Sequence, residues 1–466
     1  MRLTVQLAAA LLPGLFACGA SADDAILEQQ ELADNRYREL MAEGRNAEAV
    51  PAALDVVNLT QQLHGEDAVE LGRPLTNLAT AQLRNGDLRD AESSYQAAIA
   101  LLEKHAGFLS MRLINPLVGL GETYIRDEQY APATEAFEKA LHINHVNEGL
   151  YNPEQATIRD GLTEGYLGLR DLELANLHQD AQVYAKQHRL GANDPALIAA
   201  YAKLGRWYDR SNQMELAQLA YRNAVRLAEQ TSSDNSSLLI DLLVAVARTY
   251  REQALLPQDT ESNQTAASLM AMSSMTLRKA LDVVEQKKPP DPAQRARISI
   301  ELGDLNLMLG KRKTSSTHYQ DAWQALSATP DLEAQRDQYF AQPSRIMGPI
   351  APGIFPVPSR KAPAPASKDL EPGFVVVRFD VDQAGRVVNP TVIEADPANL
   401  LEQRVTEALA RTQYRPRYAD AAPAATNGLI YRHEFRYVPR KLKKKGAPPA
   451  DETNQPLEQP ASDDGA

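Results

Sequence analysis

The chain of 466 residues has one cysteine, Cys18, so it can form neither an internal disulfide nor a cysteine metal site. Aromatic residues make up only 6% of it, while Ala and Leu are abundant, which favours helix. Positive charge is in deficit: 49 Lys and Arg stand against 61 Asp and Glu, and the net −12 argues against a general nucleic-acid binder. Beyond the N-terminus no apolar run approaches the length of a membrane span. Catalytic signatures are also missing. There is no G-x-S-x-G, no phosphate-binding loop and no zinc-binding H-E-x-x-H. The eight histidines are scattered, and the one close pair, His142-x-x-His145, is expected at a solvated helix end. No enzyme, cofactor or metal site is expected. What remains is an ordinary soluble composition, 44% hydrophobic and 24% charged, on a chain long enough for two or more folding units.

The N-terminus, "MRLTVQLAAALLPGLFACGASADD", has a positive charge at Arg2 and an apolar stretch from Leu7 to Ala17. Residues 1–22 are expected to be a signal peptide for export. Leu15-Phe16-Ala17-Cys18 resembles the lipobox of bacterial lipoproteins, in which the cysteine is lipidated. The other reading is cleavage after Ala22, at the small-x-small site Ala20-Ser21-Ala22. Lipidation of Cys18, followed by Gly19 rather than Asp, would imply tethering at the outer membrane of a Gram-negative cell.

The next 300 residues repeat. Ala49, Ala91, Ala133, Ala175 and Ala217 are 42 residues apart, and Tyr124, Tyr166, Tyr208 and Tyr250 keep the same step. Tyr95, Phe137 and Tyr221 share a phase that Gln179 breaks. Leu302-Gly303, Tyr319 and Ala322 return 98 residues after Leu204-Gly205, Tyr221 and Ala224, which is two periods plus a 14-residue insertion, placed at 255–268. The motif Leu120-Gly121-x-x-Tyr124, turn, Ala133, Phe137, Ala140 resembles the tetratricopeptide repeat. The resemblance implies a mainly α solenoid of about seven helix hairpins over 24–340. Small residues would let paired helices approach, and the aromatic would fill the gap toward the next hairpin. It also implies a groove lined by the first helix of each hairpin, with Arg84, Glu122, Arg126, Glu164, Arg206 and Arg210 facing it. Such a row of arginines suits a carboxylate or an acidic peptide. The plainer alternative is pairing within the chain, with Glu122, Glu164 and Asp209. The Asn and Lys set of carboxylate-clamp repeats is not matched, since Gly119, Gly161 and Lys203 stand where one of its asparagines would be.

A proline-rich stretch, 341–371, reads as an extended spacer. A small α+β module of β-β-α-β order follows at 372–438. Val375, Val377, Phe379 and Val381 share one strand face, and Asp382–Gly385 form a turn. Asp396 and Pro397 are expected to open a helix. The last strand carries Leu429, Tyr431, His433, Phe435 and Tyr437 on one face. "VVVRFDVDQAGRV", "ALARTQYRPRY" and "NGLIYRHEF" resemble the TonB C-terminal domain over about a seventh of the chain. That resemblance implies docking by strand addition at a sheet edge, here along Leu429, Ile430, Tyr431, Arg432, His433, Glu434 and Phe435. Two functions stay open: an envelope adaptor that binds proteins or peptides, or a TonB-type transducer acting in transmembrane transport on an outer-membrane receptor. The tail, 439–466, is too polar to bury anything and is expected to be disordered. The basic run Lys441–Lys445 is read as a solvated boundary between sheet and tail.

Overall fold

The computed structural model describes residues 22–230, 236–256, 265–347, 354–355 and 370–438. The signal peptide with Cys18, the centre of the insertion, most of the spacer and the tail lie outside these residues. The chain divides into two compact units, 1–249 and 250–466, with the boundary inside one helix. Among the described helices none is long and apolar enough to cross a membrane.

The first unit is a stack of helix hairpins. They are α1 (Ala22–Ala42) with α2 (Asn46–His64), α3 (Gly72–Asn85) with α4 (Leu88–Ala106), α5 (Ile114–Arg126) with α6 (Tyr130–Glu148), α7 (Ala156–Gly168) with α8 (Leu172–Leu190), and α9 (Leu197–Arg210) with α10 (Met214–Gln230). The next helix, α11 (Ser236–Leu255), carries the boundary. Gly65, Gly107, Gly149 and Gly191 end the second helices with φ between +84° and +93°. The 42-residue step is therefore a step of turns as well as of helices.

Two kinds of contact bind one hairpin to the next. The first is a ring in a socket. Phe137 on α6 is 1% exposed, and its ring lies over Gly121 of its own hairpin and Gly161 of the following one. A Cβ at Gly121 would stand 2.7 Å from that ring, and one at Gly161 2.4 Å. Both are closer than atoms tolerate, so the glycines make the socket. The second is a hydroxyl latch. Tyr124 donates to Glu92 Oε1 at 3.0 Å and Tyr208 to Asp180 Oδ1 at 2.7 Å, while Tyr166 donates to Glu138. In each case a first helix is tied to the second helix of the preceding hairpin. The latch explains why these tyrosines keep the repeat period. Burial beside the carboxylate raises the pKa of all three phenols, Tyr166 to about 12.

In the second unit the end of α11 is followed by α12 (Ala266–Glu285), and α13 (Pro292–Met308) with α14 (Arg312–Ser327) form the last hairpin. A short helix, α15 (Glu333–Phe340), follows. Asp291 caps α13 by accepting from the backbone N–H groups of Ala293 and Gln294.

Four strands make the main sheet: β2 (Ile354–Phe355), β3 (Glu371–Val381), β4 (Val387–Asp396) and β8 (Thr426–Tyr437), in the order β2-β8-β3-β4. Between β4 and β8 lie α16 (Glu402–Ala410), β5 (Gln413–Arg415), β6 (Arg417–Ala419) and β7 (Ala422–Ala424). β3 pairs antiparallel with both β4 and β8. Val375, Val377, Phe379 and Val381 face α16 and bury against Leu401, Val405 and Leu409. The β3–β4 turn closes at Gly385, φ +77°, whose N–H donates to Asp382 O.

Three expectations need correction. The stretch from 341 was read as a spacer, yet β1 (Ser344–Met347) pairs antiparallel with β5, and β2 pairs parallel with the end of β8. The helix does not start at Asp396. That residue continues β4 opposite Phe374, and α16 begins at Glu402, whose carboxylate accepts from the Asn399 N–H. Nor is the sheet module detached from the helices before it. Tyr418 is 4% exposed and buries in one cluster with Ala296, Ile300, Tyr319 and Phe340. Arg415, 8% exposed, lies 3.9 Å from Asp304 and within 6.0 Å of the Tyr319, Tyr339 and Phe340 rings. Terminal repeats need their open apolar face covered, and here a β module covers it.

Candidate functional site

From Tyr95 to Tyr221 the series of packed rings is interrupted at Gln179. Gln179 stands one period after Phe137, Thr163 one period after Gly121, and Lys203 one period after Gly161. The ring and both of its glycines are thus replaced together. Gln179 Nε2 donates to Thr163 Oγ1 and to Asp160 Oδ1, both at 3.0 Å. Gln182 Nε2 reaches the same Asp160 oxygen at 2.8 Å. Lys203 Nζ donates to both Asp160 oxygens, at 2.8 and 2.7 Å, and to Gln182 Oε1 at 3.0 Å. Burial would raise the Asp160 pKa, but these donors outweigh it and hold the carboxyl below its usual value.

Above this network opens a cavity of about 490 Å³ between α7 and α9. Its walls carry Glu164, Leu167, Arg206, Trp207 and Arg210. Trp207 is oriented by its indole N–H, which donates to Asn176 Oδ1 at 2.8 Å. Leu167 is 42% exposed.

Arg206, Arg210 and Glu164, all expected in the groove, line this one cavity. The other three, Arg84, Glu122 and Arg126, lie toward the N-terminal repeats. The Glu122 carboxyl is within electrostatic reach of Arg126, Glu164 and Arg84. Burial raises the Glu122 pKa and Glu164 adds to the rise, while Arg126 and Arg84 oppose it. The expected internal ion pairs do not form among the described residues. Arg126 instead donates to the Leu83 carbonyl at 2.9 Å, and Asp209 is taken by Arg248. Among the described residues Arg84, Arg206 and Arg210 form no side-chain ion pair. Five cations (Arg84, Arg126, Lys203, Arg206, Arg210) thus face three carboxylates (Glu122, Asp160, Glu164), a local positive surplus on a chain of net charge −12.

Sequence reasoning found the groove arginines and Glu164 but missed the network that Gln179, Gln182 and Lys203 make with Asp160, and missed Trp207. The signal was present: the broken aromatic phase at Gln179, and a Gly-Gly-Lys series at 119, 161 and 203.

His145 is not simply solvated. It lies 2.9 Å from Gln155 Oε1 and 3.4 Å from Arg159, and Arg159 also approaches His178. Burial, then Arg159, lowers the His178 pKa to about 4. Among the described residues no group of three or more His, Cys, Asp or Glu is placed to hold a metal ion.

In the second unit, the seven β8 residues expected to dock a partner divide by face. Leu429, Tyr431, His433 and Phe435 point toward α16, the last three stacked with ring centroids 6.3 and 6.1 Å apart. Ile430, Arg432 and Glu434 lie on the opposite face, with Ile430 65% exposed and the Arg432 guanidinium 3.8 Å from the Phe374 ring centre. One edge of β8 is filled by β3. On the other, among the described residues, β2 pairs only at Arg436 and Tyr437.

Residues 40–104 and 198–231 match family models described as tetratricopeptide repeat, and 362–437 match the Gram-negative bacterial TonB protein C-terminal. The chain therefore carries tetratricopeptide repeats followed by a TonB C-terminal domain. No curated protein matches it. Among solved structures, the nearly identical TPR-like repeats of a Podosopora anserina putative kinesin light chain cover 46% of this chain and 99% of their own, at 19% identity and a TM-score of 0.39. BtubC (BKLC) from P. vanneervenii covers 57% and 92%, at 18% identity and 0.35. The C-terminal part of a TPR repeat-containing protein from Cytophaga hutchinsonii covers 65% and 98%, at 12% identity and 0.41.

Proposed function

We propose that the protein is a non-catalytic adaptor of the Gram-negative cell envelope, with two protein-binding surfaces on one chain. The first is the groove of the repeat unit, which takes an extended acidic segment of an envelope protein. The observation that carries this reading is the cavity at Gln179, flanked by the guanidinium groups of Arg206 and Arg210, which form no ion pair among the described residues. A ring there would seal the wall, as it does one repeat earlier. Opening the wall forgoes apolar packing, and a polar network at a packing position marks a place kept for something other than stability. Guanidinium groups bind carboxylates in a fork, and Leu167 with Trp207 supplies an apolar surface beside them.

The second surface is the outer edge of β8, from Thr426 to Phe435, where a partner would add a strand. Export by residues 1–22 would place both surfaces in the periplasm, and lipidation of Cys18 would tether them to the outer membrane.

Substituting Arg84, Arg126 and Arg210 together by Ala tests the groove. The triple variant should lose at least one partner in affinity capture from envelope extracts while keeping its helical circular dichroism. An unchanged set of partners would remove the groove from the reading. For localisation, Cys18→Ala should move the protein from the membrane fraction to the soluble one.

A further inference from the structure

The turns between hairpins in the first unit share a backbone but not a surface. The second helices α2, α4, α6 and α8 each end at a glycine. The two residues after it are Glu66-Asp67, Phe108-Leu109, Leu150-Tyr151 and Ala192-Asn193 in successive turns. Large apolar side chains stand only in the two middle turns. Phe108 is 69% exposed and Leu150 59%, and Leu109, Met111 and Val146 are exposed as well. Tyr151 is held by stacking on His188, with ring centres 3.9 Å apart. Hydrogen bonds join the turns into one edge. Arg112 donates to the Val69 carbonyl at 3.1 Å and Asn147 to the Leu109 carbonyl at 3.0 Å. An exposed apolar group of this size marks a contact surface.

The position of α1 indicates what meets this edge. Gln30 on α1 donates to Thr60 on α2 at 2.7 Å, which fixes the register of the first hairpin. Antiparallel pairing in that register brings Ala22, the first residue of α1, level with the turn at 65–69. The start of α1 therefore lies on the same edge as the apolar turns. Cys18 precedes Ala22 by four residues, a reach of at most about 14 Å. A lipid on Cys18 would hold this edge close to a bilayer, and the opposite edge, with Asp87 and Asp127, away from it. The rim is not basic, since Arg112 is outnumbered by Glu148 and Glu154. Contact here is apolar rather than electrostatic.

We propose that this edge of the repeat unit rests on a phospholipid surface, with Phe108, Leu109, Met111 and Leu150 seated among the headgroups. The orientation rests on the tether at Cys18 proposed above, whereas the apolar turns do not depend on it. Apolar side chains at the boundary of headgroups and acyl chains bind in proportion to the area they bury. The cavity at Gln179 is lined by α7 and α9 from their middles to their far ends, away from this edge. A chain lying on the membrane in this way keeps that cavity open to a protein partner.

Dye labelling of the mature chain tests this. Lipidation consumes the one native thiol and Cys18→Ala removes it, so one introduced cysteine can carry an environment-sensitive dye in either form. The labelled positions are Phe108→Cys and Leu150→Cys on the edge and Asp127→Cys on the opposite one. On vesicles of phosphatidylethanolamine and phosphatidylglycerol, dyes at 108 and 150 should shift to the blue and be quenched by spin-labelled lipid. The dye at 127 should do neither. The Cys18→Ala chain should show the same pattern at about tenfold or more higher lipid, up to about 10 mM, and equally at low and high salt. With the dye at Met111→Cys, adding Phe108→Glu, Leu109→Asp and Leu150→Glu should abolish the shift while circular dichroism is unchanged. Mass spectrometry of the mature N-terminus judges the tether separately. A chain beginning at Asp23 would remove the tether, and the edge is then judged on vesicle binding by the unlipidated chain. The proposal is overturned if dyes at 108 and 150 stay in water on vesicles, or if the dye at 127 responds equally. It is also overturned if they shift without vesicles as protein concentration rises, which would assign the edge to a second copy of the chain.

Discussion

Phe137 and Gln179 occupy the same place in consecutive repeats, and they have opposite consequences. Around Phe137 a ring fills the space left by Gly121 and Gly161, and nothing polar intervenes. Around Gln179 the glycines have become Thr163 and Lys203, and the space holds a hydrogen-bonded carboxylate under an open cavity. The backbone architecture is the same at both. The difference shows how a repeat protein acquires a site: three side chains change together, the helices stay in place, and the apolar seal becomes a polar floor.

The comparison can be broken at either end. Phe137→Ala should be the most damaging, at about 3–5 kcal/mol, because it empties a socket that two helices line. Chemical denaturation followed by circular dichroism measures it. A loss below about 1 kcal/mol would mean that the socket is not what holds the repeats together.

Gln179→Phe should destabilise by about 1–3 kcal/mol, since the ring meets Thr163 and Lys203 instead of glycines. Adding Thr163→Gly and Lys203→Gly should recover most of that loss and close the cavity. If the triple variant is no better than the single one, the three positions are not coupled.

The third effect depends on pH. The Asp160 pKa is lower in the folded state than in the unfolded one, so its network contributes stability above about pH 4 and loses it as pH falls through the folded value. Asp160→Asn should flatten the acid limb of a stability profile, and an unchanged limb would show that the network is uncoupled from folding. Smallest is the latch. Tyr208→Phe removes one hydrogen bond to a carboxylate and should cost about 1–2 kcal/mol, read as a lower midpoint of denaturation.

The hairpins were legible because each repeats the same local chemistry. A small residue, an aromatic and a turn glycine recur every 42 residues, and neighbours in sequence are neighbours in space. The β3–β4 turn was legible for the same reason. What was not legible joins distant residues. Asp304 and Arg415 are more than a hundred positions apart, and neither stands in a motif. β1 is four residues in a proline-rich stretch, and it becomes a strand only because β5 offers its edge. Asp396 looked like a helix cap because Pro397 follows it, but pairing with Phe374 keeps it in the strand. At the groove, the arginines were found by their shared register. The cavity was missed because its signal was a residue failing a pattern, and only the fold shows what that failure leaves open.

The most direct test of the account places a photo-crosslinking amino acid at Leu167, on the wall of the Gln179 cavity, in cells producing the full chain. Irradiation should join it to a discrete partner at an acidic segment. That adduct should disappear in Arg206→Glu with Arg210→Glu, and also in the triple variant that closes the socket, Gln179→Phe with Thr163→Gly and Lys203→Gly. An adduct that persists in both backgrounds, or none at all with the protein folded, would contradict the assignment of this cavity as a binding site.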